Sequence, residues 1–243
     1  TGQAPGDAVV MTAAIYSLHQ AHPGKYKTWV ESYWPDVFAH NPNVPCHSLP
    51  DGNSNRFAGV CDIEMHYPAI HQSNERSIHF MQGWCEFLAA ALGVNVPLLT
   101  NRPHLYFADP TPPVEDYWVV CSGGKRDFTT KLWGRHNYQQ VVRSLNGIKF
   151  VQVGGSKPVV PWSASCVGSQ EDEHPPLEGV ENLVGKTTLR ELFDLVRRAR
   201  GVVCGVSLLM HVAAALEKPC VVIAGGREPV TWNAYNNMRY LHT

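Results

Sequence analysis

Short apolar runs alternate along the chain with longer stretches whose apolar residues recur every three or four positions. The runs predict strands over Thr28–Glu31, Cys61–Met65, Tyr117–Cys121, Phe150–Val153, Val202–Cys204, Cys220–Ala224 and Arg239–Leu241. The longer stretches predict helices over Asp7–Ala21, Ile78–Leu92, His136–Leu145, Thr188–Ala199 and Ser207–Leu216. In the fourth of these, Leu189, Leu192, Phe193 and Val196 fall at i, i+3, i+4 and i+7, which makes one apolar face. Thr188 followed three residues later by Glu191 matches a capping box, so the helix is expected to start there. Strand and helix in alternation argue for an α/β fold with mostly parallel sheets.

The pattern breaks once, over Ala108–Asp116, where Pro110, Pro112 and Pro113 resist both helix and strand. Alternation resumes beyond it. The expected organisation is two Rossmann-like halves of similar size with a cleft between them, residues 1–112 and 113–243. A polar stretch from Ser163 to Gly179 is expected as a surface loop of the second half. The length of 243 residues suits one or two domains at roughly 100–200 residues each.

Composition narrows the function classes. Hydrophobic residues are 44% and charged residues 17%, which is globular. The net charge of −1 gives no electrostatic footprint for nucleic acid, and none is expected as a partner. The seven cysteines are odd in number and widely spaced, without a CxxC pair, so a reducing compartment is expected rather than a disulfide framework or structural zinc. No apolar stretch reaches the ~20 residues of a membrane span. Thr1 in place of methionine suggests a fragment or trimmed chain.

Candidate chemistry gathers at strand-to-helix turns, where ligands of α/β sheets bind beside helix N-termini. Gly205 and Ser207 stand at such a turn after a strand, and Gly225-Gly226 repeats the arrangement after the next. Backbone N–H groups there make a natural phosphate cradle, although an ordinary βαβ unit without a ligand has the same pattern. Gly123-Gly124-Lys125 follows another strand and can bring N–H groups to an anion. Lys131, two residues before Trp133 and close to a helix start, can neutralise phosphate as a point charge. Asp7 opens the first helix, either as an N-cap or as a carboxylate at the cleft edge. No HExxH, DxD, GxSxG or GxGxxG occurs, and the acidic run Glu171–His174 reads as a solvated loop before it reads as a cation site.

At these residues the sequence resembles glycosyltransferase family 9, the heptosyltransferases that use ADP-heptose to build lipopolysaccharide. Three blocks carry the likeness. They are Gly6–Ala14 continuing through His22-Pro-Gly24 and Asn41–Val44, then Lys131-x-Trp133, and then Asn182–Leu192 with Met210–Pro219. The resemblance implies a GT-B fold, in which two Rossmann-like domains face a central cleft. It implies acceptor binding by the N-terminal domain and nucleotide-sugar binding by the C-terminal one. The implied reaction is an inverting, metal-independent transfer from an ADP-sugar or related donor, with no cofactor. Asp7 matches the family's general base. Gly123, Gly124, Lys131, Thr187, Ser207, His211, Gly225 and Gly226 are the implied donor side. The acceptor is a carbohydrate, a lipid-linked molecule or a protein hydroxyl. The expected location is the cytoplasm, with peripheral contact at the inner face of a membrane left open. The chain departs from the family pattern at Val206, where an Asp is usual, and at Leu208, where a Gly is usual. Those departures keep a second outcome in view, a nucleotide-sugar-binding protein of the same fold that no longer catalyses transfer. The family's C-terminal helix is also expected to lie beyond Thr243.

Overall fold

The computed structural model describes residues 4–44, 61, 63–65, 76–124, 132–155, 174–225 and 228–242. The chain forms two compact units, Thr1–Pro110 with Thr231–Tyr235, and Thr111–Val230 with Asn236–Thr243. The boundary falls inside the proline-rich break, where the missing proline N–H groups leave no ladder or helix to continue. The return of Thr231–Tyr235 to the first unit has no signal in the sequence.

The first unit is organised around α1 (Pro5–Ala21), which is buried at Gly6 through Ile15 and again at Ser17 and Leu18. A helix apolar on nearly every side has to lie inside its unit. Pro5 at the first helical position supplies a preset φ. The N-cap is Ala4, so Asp7 is not the cap; it sits in the first turn, where its charge suits the helix dipole. Polar side chains of α1 hold the extended segments around it. Thr12 Oγ1 accepts the His104 N–H at 2.8 Å, Ser17 Oγ accepts the Leu99 N–H at 3.1 Å, and His22 Nε2 donates to the Asn95 carbonyl at 2.8 Å. His19 Nε2 and Thr28 Oγ1 share a hydrogen bond of 2.8 Å. The strand expected over Thr28–Glu31 is extended backbone with no ladder, because a helix side chain rather than a strand is its partner. Within Cys61–Met65 the described residues likewise carry no strand. A short 3-10 turn, Pro35–Phe38, buries Val37 and Phe38 completely. Helix α2 (Phe80–Leu92) packs on α1 through Met81, Trp84, Cys85 and Leu88 and ends at Gly93, whose φ of 64° suits glycine.

The second unit is a six-stranded parallel sheet. Its strands are β1 (Trp118–Cys121), β2 (Phe150–Gln152), β3 (Glu181–Asn182), β4 (Gly201–Gly205), β5 (Cys220–Ala224) and β6 (Met238–His242), in the order β3-β2-β1-β4-β5-β6. The connecting helices are α3 (Arg135–Ser144), α4 (Leu189–Arg198) and α5 (Leu208–Ala215). A parallel sheet needs both faces covered, and its strands therefore read as continuous apolar runs. Val119, Val202, Cys204 and Val222 are fully buried at its centre, and Phe193, Val196 and Met210 are fully buried on the helices. Thr188 caps α4 through the expected capping box, with both reciprocal bonds made. The cysteines at 85, 121, 204 and 220 are free and buried, and Cys61 is free and exposed. Cys46 and Cys166 lie outside the described residues.

Candidate functional site

Strand order places the site. In this order the chain leaves β1 in one direction to build β2 and β3, and in the other to build β4, β5 and β6. The crevice outside the carboxyl ends of β1 and β4 is the point of reversal, where doubly wound sheets bind their ligands. Register then fixes which residues stand level there. The β1–β4 ladder ends at Cys121 and Cys204, so Gly123-Gly124 and Val206-Ser207 leave the sheet from adjacent strand ends. The β4–β5 ladder ends at Gly205 and Ile223, so Gly225 follows the strand end next to that of Ser207. Gly154 follows β2 and accepts the Gly185 N–H at 3.1 Å, leading to Thr187 on the same edge. The sheet thus brings Gly123, Gly124, Thr187, Ser207 and Gly225 to one end of one unit. Lys131 and Gly226 lie outside the described residues, and so does most of the Ser163–Gly179 loop. Asp7 belongs to the first unit, where it is buried and engaged with its surroundings.

The turn after β4 suits an anion. Ser207 is the N-cap of α5, but its side chain does not cap: its hydroxyl donates back to the Gly205 carbonyl at 3.2 Å. No acidic residue occupies the first turn. The leading N–H groups and the positive end of the dipole are left facing the strand ends. His211 is buried one turn further in and has interactions of its own. Val206 and Leu208 place no carboxylate and no extra glycine at this turn.

The floor is held by residues that sequence reasoning passed over. Gln152 is fully buried on β2. Its Nε2 donates to Ser122 Oγ at 3.1 Å and to the Pro175 carbonyl at 2.9 Å, and its Oε1 accepts the Leu177 N–H at 2.8 Å. A glutamine inside the apolar run Phe150–Val153 was the available signal, because a buried amide must find partners. Gln139 on α3 clasps both backbone groups of Glu178, at 3.1 and 2.8 Å. Together they strap residues 174–178 across the ends of β1 and β2. His174 is thereby packed on Gly154 so tightly that a Cβ there would lie 2.4 Å from its ring. Burial lowers the His174 pKa and keeps the ring neutral. Cys121 Sγ lies 3.9 Å from His174 Nδ1, yet burial pushes its thiol up to about 12. A thiol so protonated is a poor nucleophile. Among the described residues no group of three or more His, Cys, Asp or Glu side chains could hold a metal ion.

Comparison with known proteins gives the family and the fold. Residues 69–241 match the model of glycosyltransferase family 9 (heptosyltransferase), and the chain belongs to that family. Over 104 residues it is 32% identical to lipooligosaccharide heptosyltransferase 2 of Haemophilus influenzae, a stretch covering 41% of this chain and 28% of that protein. The chain therefore aligns with less than a third of the length of this curated relative. Among solved structures it is similar to a family 9 glycosyltransferase from Veillonella parvula, with a TM-score of 0.71 and 17% identity over 100% of this chain and 84% of that one. It is also similar to the E. coli heptosyltransferase WaaC with ADP, with a TM-score of 0.60 and 16% identity over 100% of this chain and 91% of that one. The fold is accordingly the GT-B fold of these enzymes. No helix among the described residues is long and apolar enough to cross a membrane.

Proposed function

We propose that the chain transfers a sugar, with inversion and without a metal, from a nucleoside-diphosphate sugar to an acceptor hydroxyl. The observation that carries this is the meeting of two glycine-bearing turns, Gly123-Gly124 and Gly205–Ser207, at the reversal of strand order beside an uncapped helix start. A diphosphate leaving group gains negative charge as its bond to the sugar breaks. Preoriented N–H donors in those turns stabilise that charge without reorganising. Lys131, Thr187, His211, Gly225 and Gly226 are the further donor-side residues, with Lys131 as a point charge on phosphate. ADP is the nucleotide the reading favours, since a family structure similar to this chain is described with ADP. Heptose is the default sugar of the family name.

The acceptor hydroxyl is a weak nucleophile at neutral pH. The Asp7 carboxylate takes its proton as the oxygen attacks the anomeric carbon and the nucleoside diphosphate departs from the opposite face. Such proton transfer contributes roughly 10²–10⁴-fold to rate. The acceptor is a carbohydrate, lipid-linked molecule or protein hydroxyl, and the compartment is the cytoplasm. The specific residues Val206 and Leu208 support a second outcome, a protein that binds the nucleotide sugar without turning it over.

Two measurements separate these. ADP should raise the melting temperature, by the equivalent of about 2.7 kcal/mol at a hundredfold excess over Kd. No shift with any nucleoside diphosphate would end both readings. Asp7→Asn should then lose at least about a hundredfold in transfer while keeping its ADP affinity. If ADP affinity collapses with it, Asp7 is a structural residue of α1, and if wild type binds but never turns over, the chain is a binder.

A further inference from the structure

Gln152 is an amide inside an apolar sheet. Phe150, Val151 and Val153 around it are buried hydrophobic residues, and Gln152 is buried as completely as they are. Its backbone is locked from both sides, paired with Val120 of β1 and with Asn182 of β3. An aliphatic side chain would fill such a place with no polar atom to satisfy. The amide instead joins three segments, through Ser122, Pro175 and Leu177. Two of these partners are backbone groups of opposite kind, the Pro175 carbonyl and the Leu177 N–H. They admit one orientation of the amide, with Nε2 toward the carbonyl and Oε1 toward the N–H. Nε2 is thereby also the atom that meets Ser122, whose hydroxyl oxygen has to accept.

Ser122 directly precedes Gly123-Gly124. Glycine has more backbone freedom to lose than any other residue, so a turn built on two of them is poorly ordered by itself. Yet N–H donors stabilise a developing charge without reorganisation only where they are oriented beforehand. A fixed point next to the glycines supplies that order. Cys121 Sγ also reaches the Gly123 carbonyl, at 3.8 Å, but a thiol is a weak donor. The bond from Gln152 to Ser122 is the firmer of the two holds, and it starts from a residue fixed in two ladders.

We propose that Gln152 is a positioning residue. Through Ser122 it presets the Gly123-Gly124 turn, and the preset turn binds the diphosphate of the nucleotide sugar more tightly than a loose one. The effect on the diphosphate rests on the glycosyl-transfer reading; the presetting of the turn does not.

The test uses four variants of the full chain: Ser122→Ala, Gln152→Met, the two combined, and Val196→Ala. Val196 is fully buried on α4 and belongs to neither the turn nor its holders, so its truncation lowers stability alone. ADP affinity is measured by calorimetry at a temperature where every variant is folded. Ser122→Ala and Gln152→Met should each weaken ADP binding about fivefold or more, with Val196→Ala at wild-type affinity. The combined variant should bind no more weakly than Gln152→Met, because both substitutions delete the same bond. Order in the turn is read separately, from the nitrogen-15 heteronuclear NOE of the Gly123 and Gly124 amides. It should fall in the first three variants and hold in Val196→Ala. If Gln152→Met does not fold, Ser122→Ala carries the test, since it leaves the Pro175 and Leu177 bonds in place. Wild-type ADP affinity in the single variants, or unchanged NOE values, overturns the proposal and leaves Gln152 as a structural tie of the 174–178 strap. Additive losses in the combined variant overturn the route through Ser122. If the wild type does not bind ADP while the NOE values still fall, the glycosyl-transfer reading fails and the presetting of the turn stands.

Discussion

Gly201→Ala is a sharp test of the register that assembles the strand ends. Gly201 opens β4 with its backbone enclosed on two sides. A Cβ there would lie 2.5 and 2.6 Å from the Trp118 ring on β1, and 2.8 Å from the Pro219 carbonyl oxygen just before β5. The ring could turn, but the carbonyl cannot, since it already accepts the Val202 N–H at 2.9 Å. Relief therefore requires β4 to shift against β5, and the shift is carried to Gly205 and Ser207, roughly 13–20 Å along the strand at about 3.3 Å per residue. Overpacking of this kind costs about 1–3 kcal/mol, less the ~0.5–1 kcal/mol that alanine gains over glycine in a strand. The net is a loss of up to about 2.5 kcal/mol, or a melting temperature lowered by up to roughly 10 °C in a chain of this size. Gly147 is the control. A Cβ there meets nothing within 4 Å and its φ is not in the left-handed region, so Gly147→Ala should be neutral or stabilise by up to about 1 kcal/mol. Urea unfolding measures both, and ADP titration should show Gly201→Ala binding more weakly than Gly147→Ala. If Gly201→Ala is as stable as wild type with full ADP affinity, the close approach of β1, β4 and β5 is wrong, and with it the alignment of Gly124, Ser207 and Gly225.

Gln152→Leu should cost about 2–4 kcal/mol in urea unfolding, because it leaves the Leu177 N–H and the Pro175 carbonyl buried without their partner, and a loss under 1 kcal/mol would show that the 174–178 strap holds without it. The first unit should be acid-labile. His79 and His104 are both driven by burial from 6.5 to about 4, so they protonate earlier in the unfolded chain than in the folded one. Their stabilisation is complete above pH 6.5 and lost as the pH falls toward 4, on the order of 3 kcal/mol with the less buried His104 discounted for solvent screening. A stability profile flat between pH 7 and 4.5 would contradict the burial of these rings.

The helices were legible because their signals are local. The capping box of α4 and its i, i+3, i+4, i+7 stripe lie within one stretch of sequence, and the structure moves the expected helix ends by only one or two residues. The central strands were legible because a parallel strand covered on both faces is an apolar run. β3 was not, since Glu181 and Asn182 are polar and become a strand only by pairing with Val151 and Gln152 at the sheet edge. Thr28–Glu31 erred in the opposite sense. It has the apolar character of a strand, but α1 supplies its partner through His19. Both differences have one cause, that strand status depends on what lies alongside and no local pattern records it.

The same distinction runs through the site. Each glycine turn could be picked out singly, as a strand ending where a helix or loop begins. That Gly123-Gly124 and Gly205–Ser207 follow adjacent strands could not, because 80 residues lie between Gly124 and Gly205 and the apolar pattern encodes no strand order; it is the insertion of β4 beside β1, rather than beside β3, that joins them. Strand order also explains why Gln152 escaped notice, since its partners Ser122, Pro175 and Leu177 come together only when β2 lies next to β1. A chain that kept every turn motif but placed β4 at the outer edge would have the same local sequence signals and no shared cradle. The anion binding proposed for this unit therefore depends on topology, with the glycines as its separate parts.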